Sequence, residues 1–192
     1  MRIKVLGCNG GITGKLRTSC YQVDDDLLID AGTGAGDLSL QQAIAINAVF
    51  LTHAHLDHCC MLPMLADAAG NFRDTPLTVY ALPQTISAIR RNILNGEIWP
   101  DYTALPSPER PWIRFQPIAP GETVELNGRM ITALPARHAV PCAAYQLDSG
   151  AASLVYSGDT TYSEDFWQAL NRITNLKYLL IENTLLNANA AA

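Results

Sequence analysis

The sequence predicts an α/β fold in which helices lie outside two mixed β-sheets. Three observations support this fold: short runs of strand length alternate with a few helical patterns, some runs form hairpin pairs, and the second half of the chain is mainly β. The chain has 192 residues, of which 48% are hydrophobic and 16% are charged. This composition suffices for one sizeable core, and we expect a single domain over residues 1–192.

The first half of the chain alternates between strands and helices. Short alternating or apolar runs predict strands over residues 2–6, 19–23, 27–30, 47–51 and 77–81. The second and third of these runs form a hairpin, because the acidic cluster over 24–26 favours a turn. Apolar residues at helical spacing predict a helix over 56–69, for which Gly70 is a fitting end, and another helix over 84–94.

The second half is β-rich after one irregular segment. Residues 99–120 contain six prolines and two tryptophans, so this segment is predicted to be an ordered loop without a long helix. Further strands are predicted over 122–126, 129–134, 143–147, 153–156 and 178–181, together with a helix over 164–171. Asn127 and Gly128 predict a tight hairpin turn. The low-complexity segment 187–192 predicts no packed element.

The composition excludes several classes of protein. The formal charge of −5 argues against a broad nucleic-acid surface, which needs an excess of Lys and Arg. There is no run of about 18 apolar residues, and the amino end alternates like a strand, so neither a membrane span nor a secretory signal is expected. The cysteines Cys8, Cys20, Cys59, Cys60 and Cys142 include no C-x-x-C pair, which predicts small buried apolar residues in a reducing cytoplasm.

The segment 53–58 has the pattern H-x-H-x-D-H and holds three of the four histidines in the chain. Imidazole and carboxylate groups suit zinc, manganese or iron. His53 and His55 lie two apart in extended chain and point the same way, while Asp57 and His58 begin the following helix. The pattern therefore predicts four ligands in two pairs. The alternative is a polar helix start with Asp57 as its cap, but three protonated histidines this close would repel one another.

Three further residues follow predicted strands. His138 would supply a natural third nitrogen beside the pair His53 and His55, although a single histidine in a loop is more often structural. Asp159 lies at a tight Gly turn and could bridge two ions through its two oxygens, or be an ordinary turn residue. We expect Asp30 to hold a ligand histidine in its proper tautomer.

In this order, these motifs resemble the metallo-β-lactamase superfamily, where H-x-H-x-D-H, a later single His and a later bridging Asp recur. Within that superfamily, five motifs look like class II 3′,5′-cyclic nucleotide phosphodiesterases: H-x-H-L-D-H, the LIDAGTG turn, the segment 98–101, SGDT and the segment 181–184. The resemblance covers nearly the whole chain. It implies an αββα sandwich of two mixed β-sheets flanked by helices, often assembled as a dimer.

The resemblance also implies a binuclear centre with these ligands: His53, His55 and His138 for one ion, Asp57 and His58 for the other, and Asp159 as the bridge. Two Zn²⁺ ions per chain are expected, with Mn²⁺ or Fe²⁺ as alternatives. The family supplies one more histidine to the second ion, whereas this sequence has no histidine after His138. Either the chain lacks the family's carboxyl-terminal segment, or its second metal site is weaker.

The implied activity is hydrolysis of a 3′,5′-cyclic nucleotide, cAMP or cGMP, to the 5′-monophosphate by a hydroxide that the two ions activate. Asp57 and Asp159 would then have catalytic roles, and Glu182 could orient a catalytic group. The expected partner is a small phosphodiester. Neither nucleic acid nor a membrane is expected as a partner, and a homodimer is compatible with the resemblance.

Several alternatives remain open. A ribonuclease Z shares these motifs, although the acidic charge and the lack of a Lys/Arg-rich insertion count against it. Another small-ester metallohydrolase on the same fold, such as a cyclic ribose-phosphate phosphodiesterase, a lactonase or a thioesterase, would also fit, because fold alone does not decide the substrate. A noncatalytic metal-binding regulatory domain is the alternative from a different class.

Two smaller groups of residues have two interpretations each. Arg137, Thr160 and Thr161 could contact the phosphate, although structural or solvated roles are favoured. The segment 99–102, with its aromatic residues and Pro100, could form a flap against the base. Core packing or a dimer contact explains that segment equally well.

Overall fold

The computed structural model describes residues 1–183, which fall into two compact units, Met1–Ala119 and a second unit that begins at Pro120. Each unit contains one β-sheet with both parallel and antiparallel neighbours, and helices accompany both sheets. The predicted α/β fold with two mixed sheets is therefore confirmed. The segment 187–192 lies outside the described residues, and the single domain over 1–192 stays a prediction.

The first unit is built on a six-stranded sheet. Its strands are β1 (Ile3–Gly7), β2 (Cys20–Val23), β3 (Leu27–Ile29), β4 (Ala48–Phe50), β5 (Leu77–Ala81) and, later in the chain, β8 (Ile113–Pro117), adjacent in that order. β1 to β3 are antiparallel neighbours, whereas β3, β4, β5 and β8 run parallel. Ile29 is paired with Phe50, so the residues that follow β3 and β4 leave the sheet side by side.

The helices of the first unit connect these strands. They are a 3₁₀ turn (Thr33–Asp37), α1 (Leu40–Ala45), α2 (Leu56–Cys59), α3 (Leu62–Gly70) and α4 (Pro83–Asn92). The sequence analysis missed α1, which begins with a capping box: Gln42 N–H donates to Ser39 Oγ at 3.3 Å, and Ser39 N–H donates to Gln42 Oε1 at 2.9 Å. Among the described residues, no helix combines the length and apolar character needed to cross a bilayer.

The prediction of one continuous helix over 56–69 is wrong. The helix is interrupted after Cys59 and resumes at Leu62. Pro63 has no N–H to donate to the Cys59 carbonyl, which a continuous helix would require. Met61 N–H instead donates to the carbonyl of Ala31 at 2.9 Å. The interruption makes α2 a separate short helix that carries the end of the histidine motif.

The proline-rich segment 99–120 contains no α-helix, as predicted, but it contains strands that the sequence analysis missed. β6 (Pro106–Ser107) and β7 (Arg110–Pro111) pair as a small hairpin, and β8 extends the first sheet beside β5. β8 was obscured because prolines lie at its end and just before it. The edge of a sheet tolerates such residues.

The aromatic residues of this segment are core residues. Tyr102 is 4% exposed, its hydroxyl donates to the Asp67 carboxylate, and its ring centroid lies 4.6 Å from that of Trp112. Trp99 packs against the same core with its indole nitrogen buried. The core-packing alternative is confirmed for Tyr102, which is buried, whereas Trp99 is half-buried and its role in a flap stays a prediction.

The second unit is a five-stranded sheet with one helix. Its strands are β9 (Thr123–Leu126), β10 (Arg129–Pro135), β11 (Ala143–Asp148), β12 (Ser153–Tyr156) and β13 (Leu176–Leu180), with the order β13-β12-β11-β10-β9. Only β12 and β13 are parallel neighbours. Asn127 and Gly128 have φ values of 51° and 78°, which confirms the predicted hairpin turn. α5 (Glu164–Asn171) buries Phe166 and Leu170 against strand residues that include Val155.

Gly70→Ala should destabilise the protein by about 1–3 kcal/mol, the usual cost of overpacking a core. A β-carbon on Gly70 would lie 2.4 Å from Cδ2 of Trp112, and that indole is itself in contact with Tyr102. Urea unfolding followed by tryptophan fluorescence measures the loss.

Gly11→Ala is the matched control, since a β-carbon there would meet no atom within 4 Å. Its stability should stay within about 0.5 kcal/mol of the wild type. Equal midpoints for the two alanine variants would contradict the packing of Gly70 against the indole.

Candidate metal centre

The predicted histidine motif occupies the turn between β4 and α2. His53 is fully buried, and its ring centroid lies 4.6 Å from that of His55 and 4.2 Å from that of His58. His53 and His55 each place a ring nitrogen within 4.8 Å of the other. The structure therefore brings these three predicted ligands together within the first unit.

A buried carboxylate lies behind this cluster. Asp30 is 0% exposed and accepts hydrogen bonds from Thr52 N–H at 2.8 Å, from the Thr52 hydroxyl at 3.0 Å and from His58 Nδ1 at 2.7 Å. Asp30 has a φ of 58°, a conformation that Asp tolerates better than most residues. Asp30 thus contacts one of the predicted ligands, His58, and the role of that histidine as a ligand stays a prediction.

These contacts decide which nitrogen of two histidines can bind a metal. A carboxylate only accepts, so His58 carries its proton on Nδ1 and presents the lone pair of Nε2. The Thr52 hydroxyl donates its single proton to Asp30 and lies 3.0 Å from Nδ1 of His53, so it accepts from that nitrogen. His53 is then the same tautomer, with Nε2 as its ligand atom. The sequence analysis missed Thr52, whose only signal was a polar residue directly before the motif.

The turn after β3 fixes the position of α2. Ala31 N–H donates to the His58 carbonyl at 2.7 Å. A β-carbon on Gly32 would lie 2.0 Å from the backbone oxygen of Asp57, so only glycine allows this approach. The Asp57 carboxylate is partly buried, and its Oδ2 lies 3.6 Å from His58 Nε2. Asp57 and His58 thus offer an oxygen and a nitrogen side by side, as predicted.

The remaining predicted ligands lie in the second unit. His138 follows β10 and Asp159 follows β12, and His138 Nε2 lies 3.8 Å from Asp159 Oδ2. Thr161 N–H donates to the Arg137 carbonyl at 2.7 Å, so the two loops that carry these side chains are joined. Within this unit, the structure brings His138 and Asp159 together.

The threonines after Asp159 have structural partners. The hydroxyls of Thr160 and Thr161 lie 3.3 Å and 3.2 Å from the Arg137 carbonyl and donate to it. This is the role that the sequence favoured over phosphate binding. Arg137 itself is exposed, and its contact with a phosphate stays a prediction.

Glu182 lies against the loop that carries Asp159. Its Oε2 accepts from Thr160 N–H at 2.6 Å, and its own N–H donates to the Ser157 hydroxyl at 3.2 Å. Because β12 and β13 are parallel and Tyr156 is paired with Leu180, the residues after the two strands leave the sheet at the same edge. Glu182 is therefore placed to position the Asp159 loop, and its catalytic role stays a prediction.

The cysteines near the motif are poor candidates for ligands or nucleophiles. Cys59 donates weakly to the Ala54 carbonyl, and burial raises the pKa of its thiol to about 12. Burial also raises the pKa of Cys60, and it raises that of Cys142 to about 11, with the Asp159 carboxylate as a second cause. The prediction of small buried apolar residues holds for Cys20, Cys59 and Cys142, whereas Cys8 is exposed.

The donor set fits a divalent metal. The first unit holds imidazole nitrogens and a carboxylate close together, and the second unit holds one imidazole beside one carboxylate. Both groups are borderline and hard ligands that suit zinc, manganese or iron. In the first unit, Asp30 and Thr52 also supply the outer hydrogen bonds that metal-binding histidines normally have.

Comparison with known proteins gives a consistent family. A model of the β-lactamase superfamily domain matches residues 26–191. The solved structure of unliganded yeast PDE1 aligns with a TM-score of 0.75 at 18% identity, covering 98% of this chain and 76% of that one. At this level of identity, the structural likeness shows the fold.

Two curated relatives carry different names. "Probable 3′,5′-cyclic-nucleotide phosphodiesterase" of Yersinia pestis is 31% identical over 120 residues, covering 60% of this chain and 34% of the relative. Ribonuclease Z of Methanopyrus kandleri is 26% identical over 154 residues, covering 77% of this chain and 50% of the relative. The chain thus spans from about a third to half of the length of these relatives.

Asp30→Asn should weaken metal binding about 10- to 100-fold, the usual effect of losing a hydrogen-bond partner of a metal-binding histidine. An amide can present its NH₂ group to His58 Nδ1 and so favour the wrong tautomer. Competition with a chromophoric zinc chelator measures the affinity.

Asp25→Asn is the control for this change. Asp25 is an exposed aspartate of the same unit, paired with Arg2 at the surface, and its loss should leave zinc affinity within about twofold because exposed ion pairs contribute little. If the two variants bound zinc equally well, the role assigned to Asp30 would be wrong.

Cys8 should be the fastest thiol to react with an aromatic disulfide reagent in the native protein, because it is exposed and three of the other cysteines are buried. Cys8→Ser should remove the fast phase, while all five thiols of the wild type should react in denaturant. A fast phase of unchanged amplitude in Cys8→Ser would show that another thiol, such as the half-buried Cys60, reacts as readily, and the prediction would be wrong.

Proposed function

The chain belongs to the β-lactamase superfamily, and from that membership we propose that it is a metal-dependent hydrolase of phosphodiesters. Its preferred substrate would be a 3′,5′-cyclic nucleotide. The observation that carries the proposal is the pair of buried hydrogen-bond chains from Asp30, which direct Nε2 of His53 and of His58 toward a ligand role. A buried carboxylate that accepts the second ring N–H of a histidine is typical of metal centres.

The proposed ligands follow the family pattern: His53, His55 and His138 for one ion, Asp57 and His58 for the other, and Asp159 as the bridge. Two Zn²⁺ ions per chain are proposed, and Mn²⁺ or Fe²⁺ would suit the same donors. This assignment is supported by the proximity of ligand atoms within each unit.

When bound, divalent ions would lower the pKa of a water molecule and stabilise charge on the phosphoryl oxygens. Residues of the chain would then hold the proposed ligands in position. Asp30 keeps the proton of His58 on Nδ1. Glu182 holds the loop between β12 and α5, which carries Asp159. Attack of water on phosphorus with release of the 3′ oxygen would give the 5′-monophosphate.

Two observations favour a cyclic nucleotide. A relative named as a cyclic-nucleotide phosphodiesterase is 31% identical over its aligned region. The net charge of −5 also favours a substrate with one phosphate over a polynucleotide, which needs many cationic contacts.

Ribonuclease Z activity is the second candidate function. Several curated relatives carry that name, and the matches reach 77% of this chain, a larger share than the phosphodiesterase match covers. Nucleic acid as a partner is therefore kept as an alternative, although the sequence analysis counted against it.

Localisation and assembly are also proposals. Because the cysteines of the described residues are free thiols, a reducing cytoplasm is the proposed location. A homodimer is proposed on the family resemblance alone, and size-exclusion chromatography with light scattering tests it.

A panel of substrates tests the proposed function. The full chain is loaded with zinc, its metal content is measured, and hydrolysis is followed for bis-p-nitrophenyl phosphate, cAMP, cGMP and a precursor transfer RNA with a 3′ trailer. Turnover of the cyclic nucleotides supports the proposal, whereas turnover of the RNA alone supports ribonuclease Z. Bound metal without any turnover would support the noncatalytic regulatory alternative.

His55→Ala should lose bound zinc and lower kcat/KM for the active substrate by more than about 100-fold, since losing a ligand costs more than the 10- to 100-fold typical of its hydrogen-bond partners. Plasma emission spectrometry gives the metal content. Gln41→Ala, an exposed polar residue on α1, is the control and should keep both properties. An active His55→Ala variant without metal would refute the mechanism.

A further inference from the structure

Tyr162 is an exposed aromatic residue on the loop that carries a proposed metal ligand. It follows Asp159 by three residues, and it is 70% exposed. Three residues span at most about 10 Å, so the ring lies within reach of a ligand held at Asp159. An exposed aromatic ring so close to a proposed reaction centre is a candidate for substrate contact.

The loop around Tyr162 is fixed on both sides. Before it, Thr160 N–H donates to Glu182 and Thr161 N–H donates to the Arg137 carbonyl. After it, Ser163 caps α5 by accepting from the N–H of Phe166. The loop therefore holds the tyrosine in place before any ligand arrives, which lowers the entropy cost of binding.

The side chain is held by a hydrogen bond as well. Its hydroxyl donates to Glu164 Oε2 at 2.6 Å, and the Gln168 amide donates to Glu164 Oε1 at 3.2 Å. The same hydrogen bond raises the pKa of Tyr162 and lowers that of Glu164, so the phenol stays neutral over the physiological range. The hydrogen bond to Glu164 is made by the hydroxyl, at the edge of the tyrosine ring, and not by the face on which a base would stack.

We infer that Tyr162 is the stacking surface for the base of a nucleotide whose phosphate is held at Asp159. This inference rests on the proposed function and adds the residue that would distinguish a nucleotide from other phosphodiesters. In a cyclic nucleotide a single ribose joins base and phosphate, so the base lies close to the proposed metal ligands and within reach of residues on the same loop. Stacking on an aromatic side chain is the usual way in which proteins bind an unpaired base.

Two acidic residues follow Tyr162, while the single exposed cation joined to its loop, among the described residues, is Arg137, through the bond from Thr161 N–H to the Arg137 carbonyl. Glu164 and Asp165 occupy the first turn of α5, directly after the loop. Their carboxylates would repel the successive phosphates of an RNA strand laid across the tyrosine. A neutral base of a mononucleotide meets no such repulsion. The observations therefore favour a cyclic nucleotide over a polynucleotide at this position.

The second exposed tyrosine of this unit lies in a different setting. Tyr178 is 57% exposed on β13, the edge strand of the sheet, and Lys177 Nζ lies 5.6 Å from its ring centroid. It is not on a loop with a proposed ligand. Tyr178 is thus a matched control for the loss of an exposed tyrosine ring.

The test compares Tyr162→Ala, Tyr162→Phe and Tyr178→Ala in the zinc-loaded full chain. Two substrates are used: cAMP and the methyl riboside 3′,5′-cyclic phosphate, which has no base. Tyr162→Ala should raise KM for cAMP about five- to tenfold, the lower end of the effect of base stacking, with kcat within about twofold. Its KM for the abasic substrate should not change. Tyr162→Phe keeps the ring and should stay within about twofold of the wild type, as should Tyr178→Ala.

A binding measurement separates this inference from the proposed activity. Isothermal titration of the zinc-loaded protein with AMP and with ribose 5-phosphate should show tighter binding of AMP, and Tyr162→Ala should remove the difference. That result supports the stacking role even if the wild type cleaves no cyclic nucleotide, in which case the proposed function alone fails. The stacking role is wrong if Tyr162→Ala leaves both the KM for cAMP and the preference for AMP over ribose 5-phosphate unchanged. It is also wrong if the variant raises KM equally for cAMP and for the abasic substrate.

Discussion

The hydrogen bonds of one buried carboxylate organise the candidate metal centre of the first unit. Asp30 is fully buried, and a buried anion is costly unless donors surround it. Thr52 and His58 supply those donors. The turn after β3, which carries Asp30, and the histidine motif after β4 therefore stabilise each other. The same bonds favour the histidine protons on Nδ1, which is the tautomer that the proposed role as metal ligands needs. The parallel pairing of β3 with β4 places these two turns side by side.

In the second unit a carboxylate also holds a loop at the end of a strand, and here the carboxylate is that of Glu182. β12 and β13 are parallel, so the segments that follow them leave the sheet at the same edge. Glu182, on the segment after β13, accepts a hydrogen bond from the N–H of Thr160, the residue after Asp159. The loop after β12 is also joined to the His138 loop through the carbonyl of Arg137. In both units a buried or partly buried carboxylate holds the segment that carries the proposed ligands. The geometry that the proposed metal centre needs is thus built from hydrogen bonds at strand ends.

Local features of the sequence predicted local features of the structure well. The motif ligands His53 to His58 are contiguous, so their grouping required only a strand followed by a helix. The hairpin at Asn127 and most strands followed from pattern alone. The break between α2 and α3 depends on Ala31 accepting from Met61 N–H, a contact between distant segments, although Pro63 was a visible signal. Sequence alone left Tyr102 open between a flap and the core, because an aromatic ring in a proline-rich segment suits both, and its partner Asp67 lies far away in sequence.

The choice between a nucleotide and a polynucleotide depends on where the charge lies. A polynucleotide gains most of its affinity from many phosphate contacts, each needing a cation of the protein. The loop after Asp159 continues instead into Glu164 and Asp165, whose carboxylates would repel phosphates placed beside them. A single phosphate could have its charge neutralised by divalent ions alone, and the protein would then need only an uncharged surface for the base. If the proposed function holds, Tyr162, exposed on the loop after Asp159, is the residue inferred to provide that surface.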